Sequence, residues 1–337
     1  MTRINYGLPY MGSKNMIAKY IVDKLPAGKR LVELFCGGCA ISHCSILQGK
    51  YSEYLLNDID PRPAKTFVKA LNGGFKNETR WISREDFFKL KDEDDYVRLC
   101  FSFGNRGNTY MYNTQLEPYK KAIHMAVVFN DWGEVHALMP EVAEYCEQEC
   151  KHLETSMDRR KRFNYAIAEA LKKTGRPELI DSNPLYKAIL RTKQGSNHPT
   201  LVSLNSLQSL ESLERLKSLQ SLERLERLKS LKSLQSLESP AIELTAKAYD
   251  EYEYRDGDVV YCDPPYEGQA PYPHAPGFDS SSFWAWVHTR PYPVYVSESN
   301  APEDFVKIWS KERPTVLSRN GSTGKREEAL FIHGRWV

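Results

Sequence analysis

Long apolar runs are missing from this chain of 337 residues. No stretch comes near the ~20 apolar residues of a membrane-spanning helix, so no membrane partner is expected. The opening segment, MTRINYGLPYMGSKN, lacks the apolar core of a secretion signal, and a cytoplasmic setting is expected. An excess of one charge is missing too. Lys and Arg number 46 against 44 Asp and Glu, a formal charge of +2, so the total does not announce a polyanionic partner. Opposite faces of opposite sign would be hidden in such a sum. There is no disulfide framework: the seven cysteines are an odd number, and several lie in apolar surroundings that suit reduced thiols. A second C-x-x-C pair is also lacking. Cys36, Cys39, His43 and Cys44 invite a zinc reading, but Cys146 and Cys150 are separated by three residues and complete nothing. The glycines between Cys36 and Cys39 fit a turn better, and no metal is expected. Cys262 reads as a buried core thiol. His124, His274, His288 and His333 read as isolated residues with solvated or core roles.

What is present is ordinary in amount, with 41% hydrophobic and 27% charged residues, enough for one large domain or two modest ones. The first part reads as α/β. Asn15 to Leu25 carries apolar residues at helical spacing and is stopped by Pro26 and Gly28. Arg30 to Phe35 is a strand-like run, followed by Gly37 and Gly38, a helix from Ala40 to Gln48, and a strand from Glu53 to Asn57 that leads into Asp58. Strand, glycine turn, helix, strand and acid is the plan of a nucleotide-binding βαβ unit. After Pro240 the pattern returns. Asp258 to Cys262 and Pro293 to Ser297 read as strands, Phe305 to Trp309 as a helix, and Pro314 to Leu317 and Ala329 to His333 as strands. The two α/β parts are expected to share one sheet.

The middle differs. It is rich in charge and in polar aromatics, with helical patterns and a loop-like patch at Phe103 to Tyr112. Asn105, Arg106, Asn108 and Tyr110 have donors suited to base edges. The run Arg159 to Arg162, with Lys172, Lys173 and Arg176, suits either phosphates or a solvated helix face. From Leu201 to Leu237 a leucine falls at every third position. A step of three residues falls short of a helical turn by about 60°, so these leucines spiral instead of forming one stripe. Neither a heptad coiled coil nor a leucine-rich repeat results. The tract reads as a connector of tolerant length. The expected layout is residues 1–80 and 241–337 as one discontinuous domain, 81–200 as an insert and 201–240 as the connector.

The segment with the most chemistry is Asp263-Pro264-Pro265-Tyr266, which follows a strand and therefore sits at the carboxyl edge of the sheet, where α/β folds place ligands. A carboxylate and a proline-fixed carbonyl can accept both hydrogens of an exocyclic amine. That favours the tetrahedral nitrogen needed to attack a methyl sulfonium, by preorganised electrostatics and without a covalent intermediate. The prolines rigidify the turn and bring no competing N–H. Tyr266 offers a face to a base. Extracting a base from a duplex costs a few kcal/mol, and stacking on an aromatic returns roughly 1–3 kcal/mol. Near the N-terminus, Tyr10 to Lys14 precedes the first helix, Glu33 to Gly38 ends the first strand, and Asp58 is placed to take ribose hydroxyls.

On these residues the chain resembles the Dam-like family of DNA adenine-N6 methyltransferases, with the cofactor half first, a target-recognition insert next and the DPPY half last. The resemblance covers about residues 5–75 and 241–333. It implies a Rossmann-like methyltransferase with a mostly parallel sheet, interrupted by a largely helical target-recognition insert. It implies S-adenosylmethionine as cofactor, contacted by Tyr10, Lys14, Asp58 and Asp263, with Phe35 and Gly37 lining the pocket. Asp263, Pro264 and Tyr266 are the implied catalytic residues. Ser297-Glu298 and Lys325 to Phe331 resemble later strand motifs of the family. The expected substrate is adenine N6 in double-stranded DNA, and the expected working form is a monomer. The sequence departs from the family at two places: Cys39 stands where the glycine loop often ends in glycine, and Ala248, before the aromatic Tyr249, stands where an acid is common, with Asp250 following. N4-cytosine or RNA adenine methylation, and a non-catalytic DNA-binding or scaffold protein, are the alternatives.

Overall fold

Short apolar runs buried on both faces are what a parallel sheet asks of its strands. The computed structural model pairs β1 (Arg30–Glu33) with β2 (Glu53–Asn57) on one side and β4 (Asp258–Cys262) on the other, all parallel, with Arg30 level with both Glu53 and Asp258. It describes residues 4–10, 12–103, 107–176, 179, 183–186, 220–231, 240–266, 277–315 and 324–337. β3 (Ala241–Thr245) adds to β2, and β5 (Val294–Glu298) adds to β4, again parallel. β7 (Gly324–His333) lies antiparallel to β5 and forms a hairpin with β6 (Phe305–Thr315). The seven-stranded order is β3-β2-β1-β4-β5-β7-β6. All five parallel strands therefore deliver their carboxyl ends to one edge.

Two compact units appear. The sheet unit comprises Met1–Gly74 and Arg227–Val337, and the second unit Phe75–Glu226. In the sheet unit, α1 (Ala18–Lys24) and α2 (Ala40–Leu47) follow the predicted positions closely, and α3 (Arg62–Leu71) follows β2. Asn57 fastens three strands at their ends: its amide donates to the carbonyls of Leu34 and Lys247, and its oxygen accepts from the Thr245 hydroxyl and the Lys247 N–H. At the opposite edge the buried Arg30 guanidinium binds both oxygens of Asp258 at 2.7 Å and reaches Glu243 at 3.2 Å.

Phe305 to Trp309, expected as a helix, is the start of β6. Apolar runs this short fit either period, and here pairing with β7 decides, with a bulge between Lys307 and Trp309. The elements of the sheet unit that were not anticipated are α3, β3, and α11 (Ser280–Thr289). The signal for α11 was in the sequence. Asp279 accepts from the Ser281 N–H as its cap, and Phe283, Trp286 and Val287 form the buried face at helical spacing.

The second unit is helical: α4 (Arg84–Leu90), α5 (Asp95–Phe101), α6 (Glu117–Phe129), α7 (Gly133–Leu138), α8 (Pro140–Cys150) and α9 (Ser156–Thr174). Ser83, Asp94 and Thr155 cap α4, α5 and α9 through side-chain oxygens, satisfying N–H groups that a helix start leaves over. The leucine tract is not featureless where it is described. Gln220–Ser230 is a helix, α10, and Leu222, Leu225, Leu228 and Leu231 are all buried. The expected spiral holds, but the leucines are packed, so this part is no loose spacer. Ser221 meets the Tyr112 hydroxyl at 3.0 Å, and Arg224 donates to the carbonyls of Leu99 and Ser102. Residues 201–219 and 232–239 lie outside the described residues.

Candidate active site

The carboxyl edge of the sheet gathers acids. Glu33 ends β1, Asp58 follows β2, Asp263 follows β4, Glu298 ends β5 and Glu328 lies in β7. Lys14 reaches in among them. Its Nζ lies 2.8 Å from Asp263 Oδ1 and 3.5 Å from Glu328 Oε2, and both Lys14 and Glu328 are buried. Tyr266 is buried as well, its hydroxyl donating to Glu328 at 2.8 Å and its ring centre 4.4 Å from the Lys14 ammonium. Burial pushes the Asp263 carboxyl up to about 6, against the pull of Lys14 and with a further push from Glu328 and Glu298. Glu33 is fully buried and is pushed up to about 8 by burial, although Ser42 donates to it from both its N–H and its hydroxyl.

The glycine turn is built as a cradle. The Gly37 N–H donates to Asp58 Oδ2 at 2.9 Å, and Asp58 Oδ1 accepts from the Asp60 N–H at 3.1 Å, so the carboxylate is fixed by backbone on both oxygens. A Cβ on Gly37 would meet the Tyr10 ring at 3.1 Å, at a φ of +43°. Cys39, the departure from glycine, sits left-handed at φ 56° as the cap of α2. The position requires what glycine gives without cost, and cysteine holds it under strain. Beside the turn, Phe35 packs with Tyr249, Phe278 and Phe283 at ring separations of 5.6 to 5.7 Å. Asp250 is exposed, and Glu251 accepts from the Ala248 N–H at 3.2 Å, so the acid near Tyr249 that makes a local bond is Glu251.

Thus Lys14, Asp263 and Tyr266 come together directly, Tyr10, Gly37 and Asp58 form a second cluster, and Phe35 stands in an aromatic group. Pro264 is buried next to Asp263. Sequence reasoning did not single out Glu328 as a site residue. A buried acid in an apolar strand, E-A-L-F, was the available signal.

Other candidates resolve into structural roles. Arg159, from the basic run, is buried and donates to the carbonyls of Val127, Val128, Leu153 and Glu154, closing the end of α6. Arg160 pairs with Glu226, and Arg162 with Glu149 and Glu169. Tyr110 is buried with its hydroxyl on the Ile82 carbonyl, whereas Asn105 and Arg106 lie outside the described residues. His124 is a core residue bonded to the Thr79 carbonyl, while His274 lies outside the described residues.

His288 and His333 are not isolated, because both meet Asp304, at 2.5 and 3.1 Å. The three side chains present donor atoms close enough to hold an ion. However, His333 Nδ1 accepts from the Arg335 N–H at 3.1 Å, which leaves the ring proton on Nε2, aimed at Asp304. The group is a hydrogen-bonded tie between α11, the residue before β6, and β7 that a metal would have to break. The cysteines are all buried and none forms a disulfide, and among the described residues no helix is long and apolar enough to cross a membrane.

A parallel sheet with one reversed strand near its end and acids along its carboxyl edge defines the class: a Rossmann-like fold of the methyltransferase kind. More specifically, residues 10–117 match the D12 class N6 adenine-specific DNA methyltransferase family, so the Dam-like resemblance read from the sequence holds over that segment. The chain is also 28% identical over 124 residues to the Retron Ec67 DNA adenine methylase of Escherichia coli, a match covering 35% of this chain and 36% of that protein. The chain thus spans about a third of that relative's length.

Proposed function

We propose that this chain transfers a methyl group from S-adenosylmethionine to N6 of adenine in double-stranded DNA. The observation that carries the reading is the meeting of Asp263, from the DPPY segment, with Lys14, from the segment before the first helix, at 2.8 Å on the carboxyl edge of the sheet. Asp263 and the Pro264 carbonyl accept hydrogen bonds from the two N6 hydrogens. Tyr266 packs against the extracted base.

The site fits the cofactor. A sulfonium is a cation, and the edge offers Glu33, Asp58, Asp263, Glu298 and Glu328 around it. The bound cofactor supplies an electrophilic methyl group. Asp58, fixed by the Gly37 and Asp60 N–H groups, is oriented to accept from ribose hydroxyls. The side-chain-free turn at Gly37 lets a ligand lie against backbone beside Tyr10, and Phe35 gives an apolar face for a purine. Lys14 keeps the buried Asp263 ionised. The name of the Escherichia coli relative, a DNA adenine methylase, supports the same substrate.

The test is transfer of labelled methyl from S-adenosylmethionine to unmethylated plasmid DNA, followed by nucleoside analysis. Label in N6-methyladenine is the expected result. Label in N4-methylcytosine, or label in RNA only, would move the substrate. Absence of both label and cofactor binding would overturn the enzyme reading in favour of a DNA-binding or scaffold protein.

A further inference from the structure

Lys14 stands between two carboxylates. Asp263 is at 2.8 Å and Glu328 at 3.5 Å, so the second lies only 0.7 Å farther (3.5 less 2.8). The same Oε2 of Glu328 that faces Lys14 accepts from the Tyr266 hydroxyl at 2.8 Å. One buried acid therefore holds both the ammonium and the phenol that flank Asp263. Glu328 comes from β7, the reversed strand, where Lys311 of β6 lies opposite it in the ladder. It enters the site from the far end of the chain and belongs to neither the glycine turn nor the DPPY segment.

Resting on the function proposed above, we propose that Glu328 is a positioning residue for methyl transfer: it tethers the Tyr266 ring by its hydroxyl and gives Lys14 a second seat. An ammonium 2.8 Å from Asp263 Oδ1 competes with an amine for that oxygen. Moving that ammonium off a buried carboxylate with no other anion at hand would strand two desolvated charges. With Glu328 beside it, Lys14 moves a short way, stays paired and releases Asp263 for its N6 hydrogen. The tether also fixes the plane of Tyr266, since the phenol is held at one end and the backbone of the proline turn at the other.

Glu328→Gln separates these roles from mere packing, because an amide oxygen still accepts from Tyr266 while the charge is gone. In this variant kcat should fall by about ten- to a hundredfold, the loss expected when a charged partner of a hydrogen bond is removed. KM for DNA should change less. The acid limb of kcat should move to lower pH, because the Glu328 charge helps to raise Asp263. Glu328→Asp keeps the charge but retracts it, so kcat falls while the acid limb stays nearer to wild type. Tyr266→Phe removes the tether and leaves the limb in place.

A readout without catalysis is the rate at which Lys14 is acylated by an amine reagent in the protein alone, mapped by peptide mass. Loss of one of its two anions should raise that rate several-fold in Glu328→Gln, with Tyr266→Phe unchanged. Wild-type kcat, acid limb and Lys14 reactivity in Glu328→Gln would overturn the proposal. Failure of the wild-type protein to label DNA would instead overturn the function, and the Lys14 reactivity would still report whether the second seat exists.

Discussion

The two edges of the sheet treat charge in opposite ways. At the amino edge Arg30 is buried with both oxygens of Asp258 and reaches Glu243, so cation and anions are matched and the geometry is closed. The Tyr252 hydroxyl completes that network by donating to Asp258. At the carboxyl edge Glu328 and Glu298 both act on Asp263, Lys14 pairs with Asp263 and Glu328, and Glu33 is buried nearby. A matched network locks strands, and an edge with surplus acid is poised for a cation or for hydrogen-bond donors from outside. The helical unit resembles the amino edge. Arg159 is spent on backbone carbonyls, and Arg160 and Arg162 on carboxylates, so three residues of a run that suits either phosphates or a solvated face are engaged within the unit. Charge composition alone does not separate the two cases; the partners do.

The largest effect should come from the edge with surplus acid. Asp263→Asn should lower the rate of methyl transfer by at least about a hundredfold, as for loss of a preorganised polar group at the reacting atoms, while the melting temperature holds. The ionised form is the acceptor, and burial raises the carboxyl to about 6. Wild-type activity should therefore be full well above that pH and fall as pH drops through it. A wild-type rate in the variant would place the chemistry elsewhere.

The contrast between the edges was partly legible. The strand, glycine and acid order placed Gly37, Asp58 and Asp263 at one edge, because parallel strands must end on the same side. Glu328 was not legible, because its role depends on β7 entering between β5 and β6 in reverse, and nothing local in Lys325 to Phe331 announces that order. The misreading of Phe305 to Trp309 has the same origin, since pairing with β7 and not the local period made it a strand. In the helical unit the residues of the basic run were visible, but their partners come from up to 66 positions away, as Arg160 and Glu226 do. The leucine triplets misled for a related reason. A spiral of leucines is a poor stripe for one neighbour, yet all four described ones are covered.

Next in size is the helical unit's buried cation. Arg159→Met removes the donor that satisfies four carbonyls. Buried acceptors left unsatisfied cost ~1–3 kcal/mol, so the denaturant midpoint should fall clearly. An unchanged midpoint would mean that these carbonyls find water, and that the arginine is available for other work. A smaller effect, of opposite sign, is expected at the glycine turn. Cys39→Gly relieves a left-handed residue whose strain is about 1–2 kcal/mol, against about 0.5–1 kcal/mol of added chain entropy. The net is a stabilisation of about 0–1.5 kcal/mol, visible as a slightly raised melting temperature, with cofactor affinity by calorimetry equal or better. A lowered melting temperature would mean that the thiol's packing outweighs the strain.

The smallest effect tests the self-neutralising face most directly. Arg162 bridges Glu149 at 2.5 Å and Glu169 at 2.7 Å and is only partly buried. Pairs of this kind contribute ~0.2–1 kcal/mol, so Arg162→Ala should barely move stability. The informative measurement is DNA affinity against salt. Each phosphate contact adds about 0.9 to the slope of log affinity on log salt. If Arg162 is committed to its two glutamates, the slope of the variant equals that of wild type. A slope shallower by about one would mean that DNA takes Arg162 from Glu149 and Glu169. The helical unit would then be poised for a polyanion, as the carboxyl edge is for a cation, and the contrast drawn here between them would fail.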